Sequence, residues 1–510
     1  MSNSLNSGSD KEKAVDVHHD YASKEAAPVD DVYFTPQEEK KLIRKIDFKL
    51  IPFLSLLYLL SFLDRVNIGQ ARLAGLEADL GMSGNDYQIA SAIFFVGYVI
   101  TEVPSNILLK KLRPSRVIPA IMIVWGICAT LMGIVHNYEG LLAARFFLGL
   151  SESALFPGLC YYLVSFYKRD ESQLRIAVFF SSATLAGAFG GLLAYGLSQM
   201  DGIGGKAGWA WIFIIEGLIT IVVGCIAPFL IHDFPEQAKF LTERERAFVV
   251  RRLKEDVGSA GEFRKVHVIN AFKDWKTYVY SLSLFTPTII AALGSWSRTE
   301  SQLLATPPYA AAFIVTLASA FLSDRFKIRA PTIVFFMLVT CVGFAIFLAI
   351  DPIAQPAVAY FAIFLCVCGV APCVAANITW CGNNIAPVLK RGTAMGMMFT
   401  TGNSGGIISS FIYRTQDSPH YRVGHGVGLG CAALAAFLSA FMHFYLKAEN
   451  ARRDKKYGTL EEILHNPHTG EMDPSLADTP EVRRRVGIDH LTEDQIEELG
   501  DKSPLFRYFP

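Results

Sequence analysis

Residues 140–167 read GLLAARFFLGLSESALFPGLCYYLVSFY, an apolar run long enough to cross a bilayer that nevertheless carries Arg145 and Glu152. A hydrocarbon core of about 30 Å takes about 20 helical residues at about 1.5 Å each, so both charges fall inside the span. They stand seven residues apart, which on a helix puts the second within about 20° of the first, two turns along. Ionisable groups at that depth cost about 2.5 to 3.5 kcal/mol on insertion scales, and persist where they face a bundle interior or a water-filled cavity. One face of this segment is therefore expected to border such a cavity.

The whole chain of 510 residues is apolar, 52% hydrophobic and 12% aromatic with a mean hydropathy of +0.32. That is too apolar for an ordinary soluble enzyme of this size and indicates an all-α, polytopic membrane protein. Lys plus Arg and Asp plus Glu number 47 each, so net charge speaks neither for nor against nucleic acid, and no nucleic-acid partner is expected. The nine cysteines all lie in or at the ends of apolar runs, where a thiol behaves as a small hydrophobe. No disulfide framework is expected, and no metal site, because Cys366, Cys368, Cys373 and Cys381 have no His beside them. No nucleophile–base motif stands in a span, so no enzymatic activity is expected. The N-terminus is polar through Lys45 and has no apolar segment leading to a small-residue cleavage site. A cleaved signal is not expected, and residues 1–46 read as a disordered tail.

Twelve apolar runs recur, at 50–70, 87–109, 117–135, 140–167, 174–199 and 209–231, then at 277–293, 305–322, 330–350, 356–376, 392–413 and 423–446. They imply a six-helix bundle over 47–231 and a second over 277–446, joined by a polar linker at 232–276 and followed by a charge-rich tail at 447–510. Twelve spans put both termini on one side. The loops on that side hold twelve Lys and Arg against five on the other, which makes it the cytoplasmic side. The sequon at Asn377–Thr379 then lies at a cytoplasmic end and is expected to be unused. In the linker, Thr242 with Glu245 three positions on forms a capping box, so a surface helix is expected to start there.

An internal repeat supports the two halves. Gly187, Gly190 and Gly191 in span five recur as Gly402, Gly405 and Gly406 in span eleven, at an offset of 215. The same offset carries Lys110 onto Arg325, next to Asp324, in a second basic loop. Small residues at these places allow helices to approach or slide closely, as a transporter of the rocking type requires. The glycines, Asp324 and Arg325 are assigned to gating.

Span one ends YLLSFLDRVNIGQAR, which sets Asp64, Arg65 and Asn67 about 9 Å from its outer end. Arg145 lies about 8 Å below the outer end of span four and Glu152 about two turns deeper. Two guanidiniums at one level make an anion clamp, because planar forks grip a carboxylate bidentately and stay charged. Asp64 and Glu152 are candidates for coupling to protons, since desolvation and the arginines pull a buried carboxyl in opposite directions. The positions 215 residues after Arg145 and Glu152 are Tyr360 and Val367, so the charged site belongs to one half only. The bland alternative is that these are internal ion pairs that orient helices. Glu102, near Pro104, and Glu216 in WIFIIEG are read as bracing residues, while Tyr161 and Asn403 are cavity-lining candidates for substrate.

FLDRVNIGQARLAGL, EVPSN, LLKKLRPSR, ARFFLGLSESALFPG, WIFIIEG, LLATPPYA, GGIISSFIYRTQDSP and the terminal GDKSPLFRY together resemble the major facilitator superfamily. Within it, they resemble the anion:cation symporter family and its fungal allantoate permease-like branch, which includes nicotinate carriers. The likeness covers nearly the whole chain from about Lys41. It implies that Asp64, Arg65, Arg145 and Glu152 serve proton coupling and anion binding, and that the energy source is a proton gradient with no bound cofactor. The sequence departs from that family at Ala210, where an Arg is usual, and in span seven, whose 277–293 is short and contains Pro287. The expected function is a monomeric plasma-membrane carrier that imports a small organic carboxylate with protons. Export of an acidic secondary metabolite and a non-transporting nutrient sensor are the alternatives.

Overall fold

The computed structural model describes residues 34–510 apart from 112, 169–170, 258–264, 292–298, 327, 414–416, 418–419, 466–471, 473–475 and 478. The twelve spans occupy Pro36–Leu73, Asp86–Lys111, Pro114–Met132, the pair Tyr138–Glu152 and Leu155–Val164, Ser172–Ser198, Gly208–Leu230, Trp275–Ala291, Thr299–Phe326, Ala330–Ala349, Pro356–Asn384, Val388–Ile412 and Arg422–Tyr457. Ten of these segments are long and apolar enough to cross a membrane. Span seven, at 17 residues, is too short for that set, and span eleven, at 25, is too polar for it, with Lys390, Arg391, Asn403 and several Thr, Ser and Gly along its length. Among the described residues there is no strand, only an isolated bridge between His465 and Met472.

Packing repeats as the sequence does. In the first half, span three packs on six, two on four, and one on five and six; in the second, nine packs on twelve, eight on ten, and seven on eleven and twelve. Adding six to each span number maps one set onto the other, so the fold is two six-helix bundles of equivalent topology. The halves meet where span five crosses eight and span two crosses eleven, which are again equivalent pairs. The outer surface keeps large apolar side chains exposed, Phe229, Phe437 and Phe444 among them. In water such a belt would be a liability, whereas against lipid it is the expected finish.

Three departures from the expected boundaries have local causes. Residues 1–33 of the expected disordered tail lie outside the described residues, but span one already starts at Pro36. Thr35 and Glu38 form a capping box there, and Pro36 takes the first helical position, where its missing N–H removes nothing. Span one is therefore 38 residues long, and its overhang is tied to the linker. Lys45 meets Glu245 at 2.7 Å, Arg252 meets Glu39 at 2.8 Å, and Asp47 meets Arg175 of span five at 3.0 Å. Span four, expected as one run, is interrupted at Ser153 and Ala154. Pro157 lacks the N–H that would bond the carbonyl four residues back, and its ring crowds that turn. Span twelve continues past Leu446 to Tyr457, and in the charge-rich tail beyond it Ile463, Leu464, Val482, Val486 and Ile488 form a small core.

The linker helix runs Glu243–Val257 with the expected capping box, Glu245 N–H donating to Thr242 Oγ1 at 3.3 Å and Thr242 N–H to Glu245 Oε2 at 2.8 Å. The face of the bundle that carries this linker is called the linker side below.

Candidate functional site

Span one places Ser61 and Arg65 four residues apart, one turn along a single face. Both reach Glu152 at the end of the first piece of span four. Glu152 Oε1 accepts from Ser61 Oγ at 2.5 Å and from Arg65 Nη2 at 2.8 Å. The Arg65 side chain retains 18% exposure and that of Glu152 none, so the guanidinium is the more accessible member of the pair. It lies over the rings of Phe94 and Tyr98 of span two, at 5.4 and 5.0 Å. Arg145 approaches the same Phe94 ring at 5.1 Å and donates Nε to the Ala90 carbonyl at 3.2 Å. One phenyl ring thus gathers both cations, whose attraction to its π-face partly offsets their repulsion.

Hydrogen bonding in this cluster is incomplete. Arg65 Nε, Arg145 Nη1 and Glu152 Oε2 are buried and have no partner among the described residues. Buried donors and acceptors of charged groups are rarely left so, because each loses the hydration it had in water. Two unused donors on cations and one unused acceptor are the complement of a protonatable anion.

Asp64 and Asn67, expected in the same cluster, are not brought into it. They project to the other side of span one, where Thr220 Oγ1 donates to Asp64 Oδ2 at 3.2 Å and Asn67 Nδ2 to Glu216 Oε2 at 2.6 Å. The reason is helical geometry, since sequence neighbours point about 100° apart. Glu216 accordingly braces span six on span one, through Asn67. Ser61, Phe94 and Tyr98 were not singled out from the sequence. Ser61 was reachable by counting one turn back from Arg65, whereas the two rings belong to a neighbouring span that no periodicity links to it.

The remaining candidates sit between the halves. Asn403 of span eleven donates Nδ2 to Glu102 Oε1 of span two at 3.1 Å, a buried bond across the interface. Gly187 lies where span five meets the Tyr309 ring of span eight, and Gly406 where span eleven meets the Phe95 ring of span two; a Cβ would stand 2.9 and 2.4 Å from those rings. Gly190 packs on Leu63, and Gly191, Gly402 and Gly405 are buried. On the linker side Asp324 Oδ2 accepts from Leu174 N–H at 2.9 Å, and Ser323 Oγ donates to Gln173 Oε1 at 3.0 Å, which joins span eight to the start of span five. Arg325 is exposed, and Asp324 pairs instead with Arg329 at 2.7 Å. Tyr161 stacks edge-on against Phe234 near the linker, with centroids 5.9 Å apart, away from Arg65.

Residues 54–410 match the family described as the Major Facilitator Superfamily. The chain is 36% identical over 503 residues to the MFS-type transporter cnsO of Penicillium expansum, covering 93% of this chain and 91% of that protein. It is 33% identical over 446 residues to the major facilitator-type transporter hxnP of Emericella nidulans, covering 84% and 90%. Among solved structures, the proton:xylose symporter XylE bound to 6-bromo-6-deoxy-D-glucose superposes with a TM-score of 0.57 at 13% identity, covering 78% of this chain and 95% of that one. At that identity the likeness speaks for the fold alone.

Proposed function

The chain belongs to the major facilitator superfamily of multi-pass membrane transporters, and from this premise we propose that it carries a small organic carboxylate together with protons by alternating access. The observation that carries the reading is the Arg65–Glu152 pair with its unused neighbours. While Glu152 is ionised it occupies Arg65. A proton placed on Glu152 turns the carboxylate into a neutral group, releases the guanidinium, and leaves its fork free for the carboxylate of a substrate. Loading of the anion is thereby tied to loading of a proton. Arg145, buried behind Phe94, adds positive potential and an unused donor to the same place.

In this reading the bonds between the halves are the ones that exchange during the cycle. Asp324 with the start of span five, Ser323 with Gln173, and Glu102 with Asn403 hold the present arrangement, and a rocking movement of the two bundles has to release them. The Lys and Arg bias of the loops supports assigning the linker side to the cytoplasm, in a plasma-membrane protein.

The reading is tested by uptake of labelled carboxylates, nicotinate and allantoate included, into proteoliposomes with and without an inward proton gradient. Gradient-dependent uptake of one compound is expected; with insertion verified, failure of every carboxylate sinks the substrate class. For the transported compound, Glu152→Gln is expected to abolish accumulation against a concentration gradient while retaining exchange of internal for external substrate. Accumulation equal to that of the wild type would remove Glu152 from the coupling role.

A further inference from the structure

Residues 500–509 lie against the linker-side ends of spans seven, ten, eleven and twelve. Asp501 is fully buried, and its carboxylate accepts from Lys276 on one oxygen and from Lys390, at 2.6 Å, on the other. Lys276 is the second residue of span seven and Lys390 the third of span eleven. Asp274 completes the set, 2.7 Å from Lys390 and 3.7 Å from Lys276. Two buried ammoniums are thus matched by two carboxylates, and one of those carboxylates arrives with the tail.

The backbone of the tail is held as closely as the charge. Arg453 of span twelve donates to the carbonyls of Ser503, Phe506 and Asp501 at 3.1, 2.8 and 3.1 Å. Asn450 donates to the Tyr508 carbonyl at 2.8 Å and accepts its N–H at 2.9 Å. Trp380 Nε1 and Asn384 Nδ2 of span ten converge on the Phe509 carbonyl at 2.8 and 2.9 Å, and Asn384 Oδ1 accepts the Phe509 N–H at 2.8 Å. Gly500 makes the entry possible. It has φ +50, and a Cβ there would stand 2.3 Å from the Ala386 carbonyl oxygen in the loop between spans ten and eleven. These tail partners all belong to the second half.

We propose that residues 500–509 are a latch that holds the linker-side ends of spans seven, ten, eleven and twelve together as one rigid unit, and that undocking the latch frees those ends. The latch acts within one bundle and does not bolt one bundle to the other. A half that rocks as a body needs internal stiffness at its helix ends as well as in the packing of span seven on eleven and twelve. Removing Asp501 leaves Lys276 and Lys390 to share Asp274, and an unmatched buried charge is strongly destabilising where it stands.

Hydrogen exchange of the full-length chain in detergent, read peptide by peptide, tests this. In Asp501→Asn, peptides over 272–280 and 384–392 are expected to exchange at least about a hundredfold faster, because their opening no longer breaks a matched cluster. Peptides over 120–132 in the first half are expected to keep their rates. The double variant Asp501→Asn with Lys390→Met removes one charge of each sign and leaves Lys276 with Asp274, so at least half of the lost protection, on a logarithmic scale, is expected to return. If Asp501→Asn alone does not fold, folding of the double variant carries the same support. Unchanged protection in Asp501→Asn, loss spread evenly over both halves, or a double variant no better than the single one would overturn the latch.

Discussion

Arg65→Ala is expected to reduce uptake of the proposed carboxylate substrate at least about a hundredfold, the equivalent of losing one bidentate charge-assisted hydrogen bond to it. The same change strands Glu152 with Ser61 as its remaining partner, and breaking a buried ion pair from one side typically costs about 3 to 5 kcal/mol. Stability and binding are therefore lost together in the single variant. The double variant Arg65→Ala with Glu152→Gln separates them. Its buried amide carries no charge to strand, so thermal stability should recover while uptake stays absent. Arg65→Lys keeps the charge and gives up the planar fork; at least about a tenfold loss of uptake is expected, with little change in stability. Uptake by Arg65→Ala at the wild-type rate would mean that the anion is held elsewhere, Arg145 being the next place to look.

Gly149→Val is expected to yield no monodisperse protein. A Cβ at Gly149 would stand 2.0 Å from the Phe94 carbonyl oxygen and 3.0 Å from Tyr98 N, both backbone atoms of span two. On the other side of the same crossing, a Cβ at Gly97 would stand 2.4 Å from the Phe146 carbonyl oxygen. Neither neighbour can rotate away, so the helices must separate, and the loss is expected to exceed about 4 kcal/mol, the range reserved for gross steric or core defects. Phe94 is also the ring between Arg65 and Arg145, so any separation at this crossing disperses the charged cluster. Gly406→Ala makes a useful contrast. Its nearest neighbours are atoms of the Phe95 ring, which can turn, and a milder loss is expected. Fluorescence-detected size exclusion and thermal melting of the tagged proteins distinguish the two. A Gly149→Val chain as stable as wild type would show that the crossing is looser than its atoms indicate.

Much of this fold was legible because it is written in periodic terms. Long apolar runs gave the spans, the glycine repeat gave the two halves, and Thr242 with Glu245 gave the linker helix. The site was legible in part. Arg145 and Glu152 announced themselves as charges inside an apolar run, and Arg65 followed from depth. Asp64 and Asn67 share the depth of Arg65 but bond on the other side of span one, a direction that depth along a helix does not encode. The start of span one carried the same capping signal as the linker helix, Thr35 with Glu38, and was masked by the polar residues around it. The tail was illegible for a different reason. It shows only as charge-rich, because the partners of Asp501 lie far away in sequence, Lys276 at 225 residues and Lys390 at 111, and no local pattern encodes such a match.

Span one has one mechanical consequence. At about 1.5 Å per residue its 38 residues measure about 57 Å, nearly twice the thickness of a bilayer core. One end is anchored to the linker through Lys45 and Glu39, and Asp47 is tethered to Arg175. Arg65 rides on the same rod about 27 Å from that tether. A tilt of about 5° about the tether would shift Arg65 by about 2 Å, comparable with the length of its bond to Glu152. Pro52, where the helix lacks one rung, sets how much of the tilt is absorbed on the way. The rod is thus a lever whose handle lies in the linker and whose load is the Arg65–Glu152 pair.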